Sequence, residues 1–261
     1  MIANCLGINE AGHLEISGCD TVRLAEQYGT PLYVMSEDEI RSVCRRYVAS
    51  FAKNYNGNGK PIYASKAFSC KEIYRIVLSE GLDVEVVSGG ELYTALQAGV
   101  PGSQIHFQGN NKSAGELTMA VENGVGDIVV DNLYELERLN AIAGEHSMVA
   151  PISFRIKPGI DAHTHEFIRT GQVDSKFGLD LASGEAMAAL RRAKAMEHVA
   201  VKGLHCHIGS QILEKAPFVH AAEVMLQFYA KVRDELGMAF EHLNLGGGFG
   251  IHYTAQDDAI P

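Results

Sequence analysis

Pro61-Ile-Tyr-Ala-Ser-Lys-Ala67 is the stretch whose reading decides how the rest of the chain is assembled. Pro61 to Ala64 is a short apolar run with the composition of a buried strand, and Ser69-Cys-Lys-Glu72 opens a helix just beyond it. Lys66 therefore falls where a strand hands over to a helix, with Tyr63 and Phe68 close by. An amine in such a place can be partly desolvated, which disfavours its ammonium form and lowers its pKa. The neutral amine is the form that makes a Schiff base with a carbonyl compound or an aldehyde cofactor. The plain alternative is a surface lysine at a strand end.

Outward from that stretch the same alternation repeats. Apolar runs begin near Ile62, Val84, Ile105, Ile128, Ile152, Val201 and Leu243, and amphipathic stretches begin near Lys71, Gly90, Ala114, Leu133, Gly184 and Phe218. Short buried strands alternating with helices predict right-handed crossovers and a parallel sheet. Seven such units predict an α/β fold, a (β/α)8 barrel that is one unit short; an open doubly wound sheet is the alternative. The first 35 residues read differently. His13 to Ser17 alternates like an exposed strand, Thr21 to Tyr28 has a brief helical pattern, and Gly29 to Val34 reads as a turn followed by a strand. Ser36 with Glu39 forms a capping box for a helix from Asp38 to about Asn54.

The 261 residues suffice for one such barrel. A formal charge of -10 argues against non-specific binding to nucleic acid or to an anionic membrane. No apolar run approaches a membrane span, and the N-terminus lacks the basic head and apolar core of a secretory signal. Five cysteines without paired spacing suit free thiols in a reducing cytoplasm, with neither a disulfide framework nor a zinc site.

In a barrel of this type chemistry gathers at the C-terminal ends of the strands. There the sequence places Lys66, Glu85 and Glu91 around Ser88-Gly-Gly90, Asn110, Arg155, His207 with Ser210, and Gly246-Gly-Gly248. Adjacent glycines let the backbone approach a ligand and aim N–H groups at it, and in barrels the loop after the seventh strand commonly holds phosphate. His205 and His207, two apart on a strand, share a face; the alternatives are satisfied core histidines or half of a metal pair, though no third ligand at suitable spacing stands out. Arg155 within a buried strand needs an anion, which a structural salt bridge would supply as well as a ligand would. Asp161 to Gly178 is a long polar insertion of the kind that serves as a lid, with His163 and His165 facing solvent or substrate rather than a metal.

Together Tyr63-Ala-Ser-Lys-Ala67, Val86-Val-Ser-Gly-Gly-Glu91, His163-Thr-His-Glu-Phe167 to Lys176-Phe-Gly178, His205-Cys-His-Ile-Gly-Ser-Gln211 and Leu245-Gly-Gly-Gly-Phe-Gly250 resemble the pyridoxal-phosphate decarboxylases with an alanine-racemase-like barrel, most closely the diaminopimelate decarboxylases. The stretch from Leu24 to Val34 is similar to that family as well, so the resemblance covers nearly the whole chain. It implies pyridoxal 5'-phosphate as cofactor, carried on Lys66, with His207 stacked on the ring. It further implies Ser210 and the backbone of Gly246, Gly247 and Gly248 at the phosphate, with Arg155, Glu85 and Glu91 ordering the site. No metal is implied. The implied reaction is decarboxylation of meso-diaminopimelate, an amino-acid substrate, to L-lysine in a cytoplasmic homodimer. Related decarboxylases of ornithine, arginine or carboxynorspermidine, or a non-catalytic cofactor binder, are the alternatives.

Two departures from the family pattern matter. Glu85 stands where the family usually has aspartate, which shifts a carboxylate by roughly 1 Å without abolishing its contact with Lys66. Family members also continue into an eighth strand with a Glu-Pro-Gly-Arg stretch and then a β-sandwich. On that pattern residues 1–35 are the N-terminal segment of the β-domain and 36–261 a partial barrel, and the expectation is a fragment with little or no activity alone.

Overall fold

The computed structural model describes residues 5–160, 177–251 and 253. Three short strands come first: β1 (Leu6–Ile8), β2 (Leu14–Ile16) and β3 (Cys19–Asp20), paired antiparallel as a separate sheet. Asp20 then caps α1 (Thr21–Tyr28), its carboxylate accepting from the N–H groups of Val22 and Arg23. Helix α1 buries none of its residues. The strand expected over the segment ending at Val34 does not form. That segment is irregular, with a cis Thr30–Pro31 peptide and an almost fully exposed Tyr33, because among the described residues no strand lies beside it to complete a ladder.

Helix α2 (Glu37–Asn54) starts where the capping signal put it, but the box is one-sided. Ser36 Oγ accepts from the Glu39 N–H at 3.2 Å and also contacts Ser17 Oγ at 2.6 Å. The reciprocal box lies at Ser113 and Glu116, at the start of a later helix.

The large sheet follows the predicted rhythm. In chain order it consists of β4 (Ile62–Ala64), α3 (Lys71–Ser79), β5 (Asp83–Val86), α4 (Gly89–Gln97), β6 (Ile105–Phe107), α5 (Ala114–Glu122), β7 (Asp127–Val130) and α6 (Leu133–Glu145). It continues with β8 (Ala150–Lys157), β9 (Leu179–Asp180), α7 (Glu185–Lys194), β10 (Val199–Cys206), α8 (Ala216–Leu236) and β11 (His242–Asn244). Seven parallel strands run in the order β11-β10-β8-β7-β6-β5-β4, and the two-residue β9 flanks β8. Each new strand is added on the same side of the last. The order never reverses, so the doubly wound alternative, which needs a switch point, is excluded. Among the described residues, β4 and β11 each have one strand neighbour.

Helices cover the sheet through apolar stripes at helical spacing, such as Ile73, Tyr74, Ile76 and Val77 on α3 and Leu136, Leu139, Ile142 and Ala143 on α6. They meet Val84, Val86, Ile105, Phe107, Ile128, Val130, Ile152 and Phe154 from the strands. Toward the N-terminal ends of the strands a polar network crosses the barrel. His106 Nδ1 lies 3.4 Å from Asp127 Oδ2 and its Nε2 lies 3.3 Å from Asp83 Oδ2. His242 Nε2 approaches the same Asp127 oxygen at 3.3 Å and Ser153 Oγ at 2.8 Å, while Lys60 pairs with Asp83 at 2.5 Å. A side chain at Gly203 would stand 2.4 Å from the His242 ring, so glycine makes the room that lets β11 join.

Candidate functional site

At the opposite, C-terminal end of the strands a cavity opens, lined by Lys66, Glu85, Arg155, His207, Ser210 and the glycines of the turn after β11. Lys66 sits on a single 3-10 turn, Ser65–Ala67, that follows β4. Its side chain is exposed, which corrects the expectation of a desolvated amine: the described residues near it do not wrap the stem. Tyr63 lies below, its hydroxyl donating to the Phe68 carbonyl at 2.9 Å, and burial pushes that phenol up to about 12.

The lysine's turn is held from behind. Ser65 Oγ donates to Glu91 Oε2 at 2.7 Å, and the Val87 N–H donates to the same oxygen at 2.7 Å. Glu91 does not line the cavity; it fixes the turn that carries Lys66. Glu85 does line it. Burial raises the pKa of Glu85, while the charges of Lys66, His106 and Arg155 act against that rise, and the Gln108 amide donates to it in a short contact.

Arg155 projects from β8 with its guanidinium 4.9 Å from the centre of the Phe177 ring. Arg155 is half-buried, and its charge is felt by Glu85 and Asp131, which supply anionic surroundings for it. His205 and His207 both line the cavity, as their spacing predicts, yet they differ. His205 is fully buried with neither ring nitrogen in hydrogen-bonding geometry, and burial drives its pKa to about 3. His207, just past the end of β10, is half-buried. Burial first, then the nearby Lys66 and Arg155 charges, lower it to about 4, so at neutral pH it offers a flat, uncharged ring.

The glycine turn and the turn after β10 close on one another. The Ile212 N–H donates to the Gly248 carbonyl and the Gly250 N–H to the Ile212 carbonyl, both at 2.9 Å. A Cβ on Gly248, whose φ is 99°, would stand 1.9 Å from the Gly209 carbonyl oxygen, and one on Gly246 would stand 2.6 Å from that of Cys206. A Cβ on Gly247 would meet nothing within 4 Å, because that residue faces open space. Among the described residues the N–H groups of Gly247 and Gly248 find no acceptor. Two unspent donors on a concave glycine turn make a nest for an anion.

Sequence reasoning missed two supports. Asn244 Oδ1 accepts from the Gly246 N–H at 2.8 Å and shapes the turn; an asparagine two residues ahead of a glycine was the available signal. Gln108 carried none. No cluster able to hold a metal occurs among the described residues, and His163, His165 and the rest of the insertion from Asp161 to Lys176 lie outside them.

Fold and mouth together define the class: an α/β-barrel domain of the pyridoxal-dependent enzymes, with pyridoxal 5'-phosphate as its cofactor. The residues present fit that group on their own terms, since one cavity offers an amine for an aldehyde and an unspent pair of N–H donors for a phosphate. The family model described as pyridoxal-dependent decarboxylase, pyridoxal binding domain, matches residues 37–261, and the chain belongs to that family. Diaminopimelate decarboxylase of Bacillus methanolicus is 50% identical over 97% of this chain and 59% of its own length. The crystal structure of diaminopimelate decarboxylase from M. jannaschii superposes with a TM-score of 0.91 at 40% identity, covering 99% of this chain and 59% of that one. The same enzyme in complex with L-lysine gives 0.89 at 40% identity, covering 98% and 59%. The chain thus spans about three fifths of the length of the relatives it matches.

Proposed function

We propose that the protein is a carboxy-lyase that converts meso-diaminopimelate to L-lysine and CO2, and that these residues form its cofactor-holding part. The observation that carries this reading is the single cavity shared by Lys66 and the unspent donors of Gly247 and Gly248. Lys66 holds the cofactor at its aldehyde carbon, and Gly246, Gly247, Gly248 and Ser210 receive the phosphate. His207, uncharged, lies against the ring without opposing a protonated ring nitrogen. Glu85 and Arg155 set the charge around it, and Glu91 acts through Ser65. When bound, the cofactor supplies an electron-withdrawing ring that accepts the electrons left behind as the carboxylate departs. Residues 1–35 form a unit apart from the barrel of 36–261, a division supported by their separate sheet and by a family match that begins at residue 37. The relatives' names favour an amino-acid substrate and the charge of -10 disfavours nucleic acid, while a cytoplasmic homodimer is what the resemblance implies. No helix among the described residues is long and apolar enough to cross a membrane.

Incubation with pyridoxal 5'-phosphate, reduction with borohydride and peptide mapping test this reading: label is expected on Lys66, and label spread evenly over surface lysines would overturn it. With β4 and β11 each lacking a second strand neighbour among the described residues, water reaches the cavity from the side. The 261 residues alone are therefore expected to take up cofactor and release little CO2 from meso-diaminopimelate, which trapping of labelled CO2 would check. Gly248→Ala is expected to weaken cofactor binding roughly tenfold or more in a titration, by forcing the two turns apart and misaiming donors to a charged group. An unchanged dissociation constant would remove the glycine turn from the site.

A further inference from the structure

Behind the cavity wall lies a buried cation that the proposed chemistry does not use. Lys112, 6% exposed, sits on the turn between β6 and α5. Its Nζ donates to the Gly109 carbonyl at 2.6 Å and to the Val129 carbonyl at 2.8 Å, and it pairs with Glu135 Oε1 of α6 at 2.7 Å. The directional bonds go to the two carbonyls. Glu135 Oε1 neutralises the ammonium from the side of α6. Three elements therefore converge on one ammonium: the β6–α5 turn, β7 and α6.

What the ammonium pins is the cavity wall. Gly109, with φ 121°, packs so that a Cβ would stand 3.2 Å from the Val87 carbonyl oxygen at the end of β5. Its neighbours Gln108 and Asn110 line the cavity, and Gln108 donates to Glu85. Glu85 in turn lies within the electrostatic reach of Lys66. On the far side Asp131, at the end of β7, feels the charges of both Arg155 and Lys112. We propose that Lys112 is a positioning residue for cofactor binding: by gripping the Gly109 carbonyl it sets the Gln108–Asn110 wall and, through Gln108, the carboxylate of Glu85 opposite Lys66. This rests on the cofactor reading above.

A merely structural ion pair and a positioning residue part company in a double variant. Replacing both members of a buried pair by apolar groups of similar volume is often neutral for stability. Lys112→Met alone is expected to lower both the melting temperature and the affinity for pyridoxal 5'-phosphate, the latter roughly tenfold. Lys112→Met with Glu135→Met is expected to recover part of the melting temperature, the buried carbonyls staying unpaired, but none of the affinity, since the Gly109 carbonyl stays unheld. A double variant that binds pyridoxal 5'-phosphate like the parent would overturn the proposal. Glu135→Gln keeps both carbonyl bonds and serves if the methionine variants do not fold. It is expected to melt lower yet bind as the parent does, and a loss of affinity in step with its melting temperature would equally overturn the proposal. Absence of borohydride-fixed label on Lys66 in the unmodified chain is a different result, which refutes the cofactor reading instead.

Discussion

Lys66→Ala is expected to remove all of the borohydride-fixed cofactor from the cavity. The prediction is sharp because a second lysine offers itself there. Lys157 ends β8 and lines the same cavity; Lys60 lines it too, but at the opposite end of the strands and in its pair with Asp83. Lys157 is already matched by carboxylates, since its charge bears on Asp131 and Asp180. Lys66 faces Glu85 and a neutral His207 and stands on a turn that Glu91 and Ser65 hold rigid. An exposed amine on a held turn has the advantage of proximity over one that is half-buried and drawn by neighbouring carboxylates. Lys66→Arg keeps the positive charge but cannot condense with an aldehyde, so it should lose the label just as completely while retaining reversible binding through the glycine turn. Equal labelling of Lys157 in either variant would show that the cavity does not choose between the two amines, and the assignment to Lys66 would fall.

Asp127→Ala should bring the protein close to unfolding. Asp127 is 1% exposed, and its Oδ2 takes both His106 and His242. Burial works against its ionisation, but the two imidazoles outweigh burial and pull its pKa down to about 2. Burial likewise opposes charge on His106, and Asp127 and Asp83 overcome it, lifting that imidazole to about 9. Removing one member of such a buried set typically costs ~3–5 kcal/mol, against a total stability of about 5–15 kcal/mol. Urea denaturation is the measurement, and a loss below about 1 kcal/mol would mean the network is replaceable.

The same network sets a pH signature with a definite sign. His106 binds its proton more tightly folded than unfolded, so its contribution is whole below its ordinary value of 6.5 and is lost as pH rises through about 9. His205 and His207, lowered to about 3 and about 4, work the other way. The unfolded chain takes up their protons first, and stability drains as pH falls below 6.5. A maximum near neutrality follows, and His106→Gln should flatten the alkaline side and, because His106 helps hold Asp127 low, also lessen the loss below about pH 4.

These cases also show what a sequence can carry. Each of the seven barrel strands has its own apolar run, and each helix its own stripe, so both were readable one segment at a time. The glycine turn was legible for the same reason, since Gly246 to Gly248 are adjacent in the chain. The network around Asp127 was not. It draws His106, Asp83, Asp127, Ser153 and His242 from five different strands, and only the winding of the sheet makes them neighbours. Lys112 and Glu135 escaped for the same reason, being 23 positions apart and joined only where α6 packs behind β7. Glu91 was legible as important but not in its manner of acting, because its position three residues into α4 points the carboxylate back at Ser65 and Val87. Lys66 was placed at the right turn, but its exposure depends on what surrounds that turn in space.

The unmatched flanks of the large sheet have a further consequence. Among the described residues neither β4 nor β11 has a strand on its outer side, and both run in the same direction. The β4 flank of one molecule could therefore lie alongside the β11 flank of the next without either chain turning round. Such a head-to-tail contact joins two different surfaces and need not close on itself, so wherever these flanks stay bare the geometry favours growing filaments over discrete pairs.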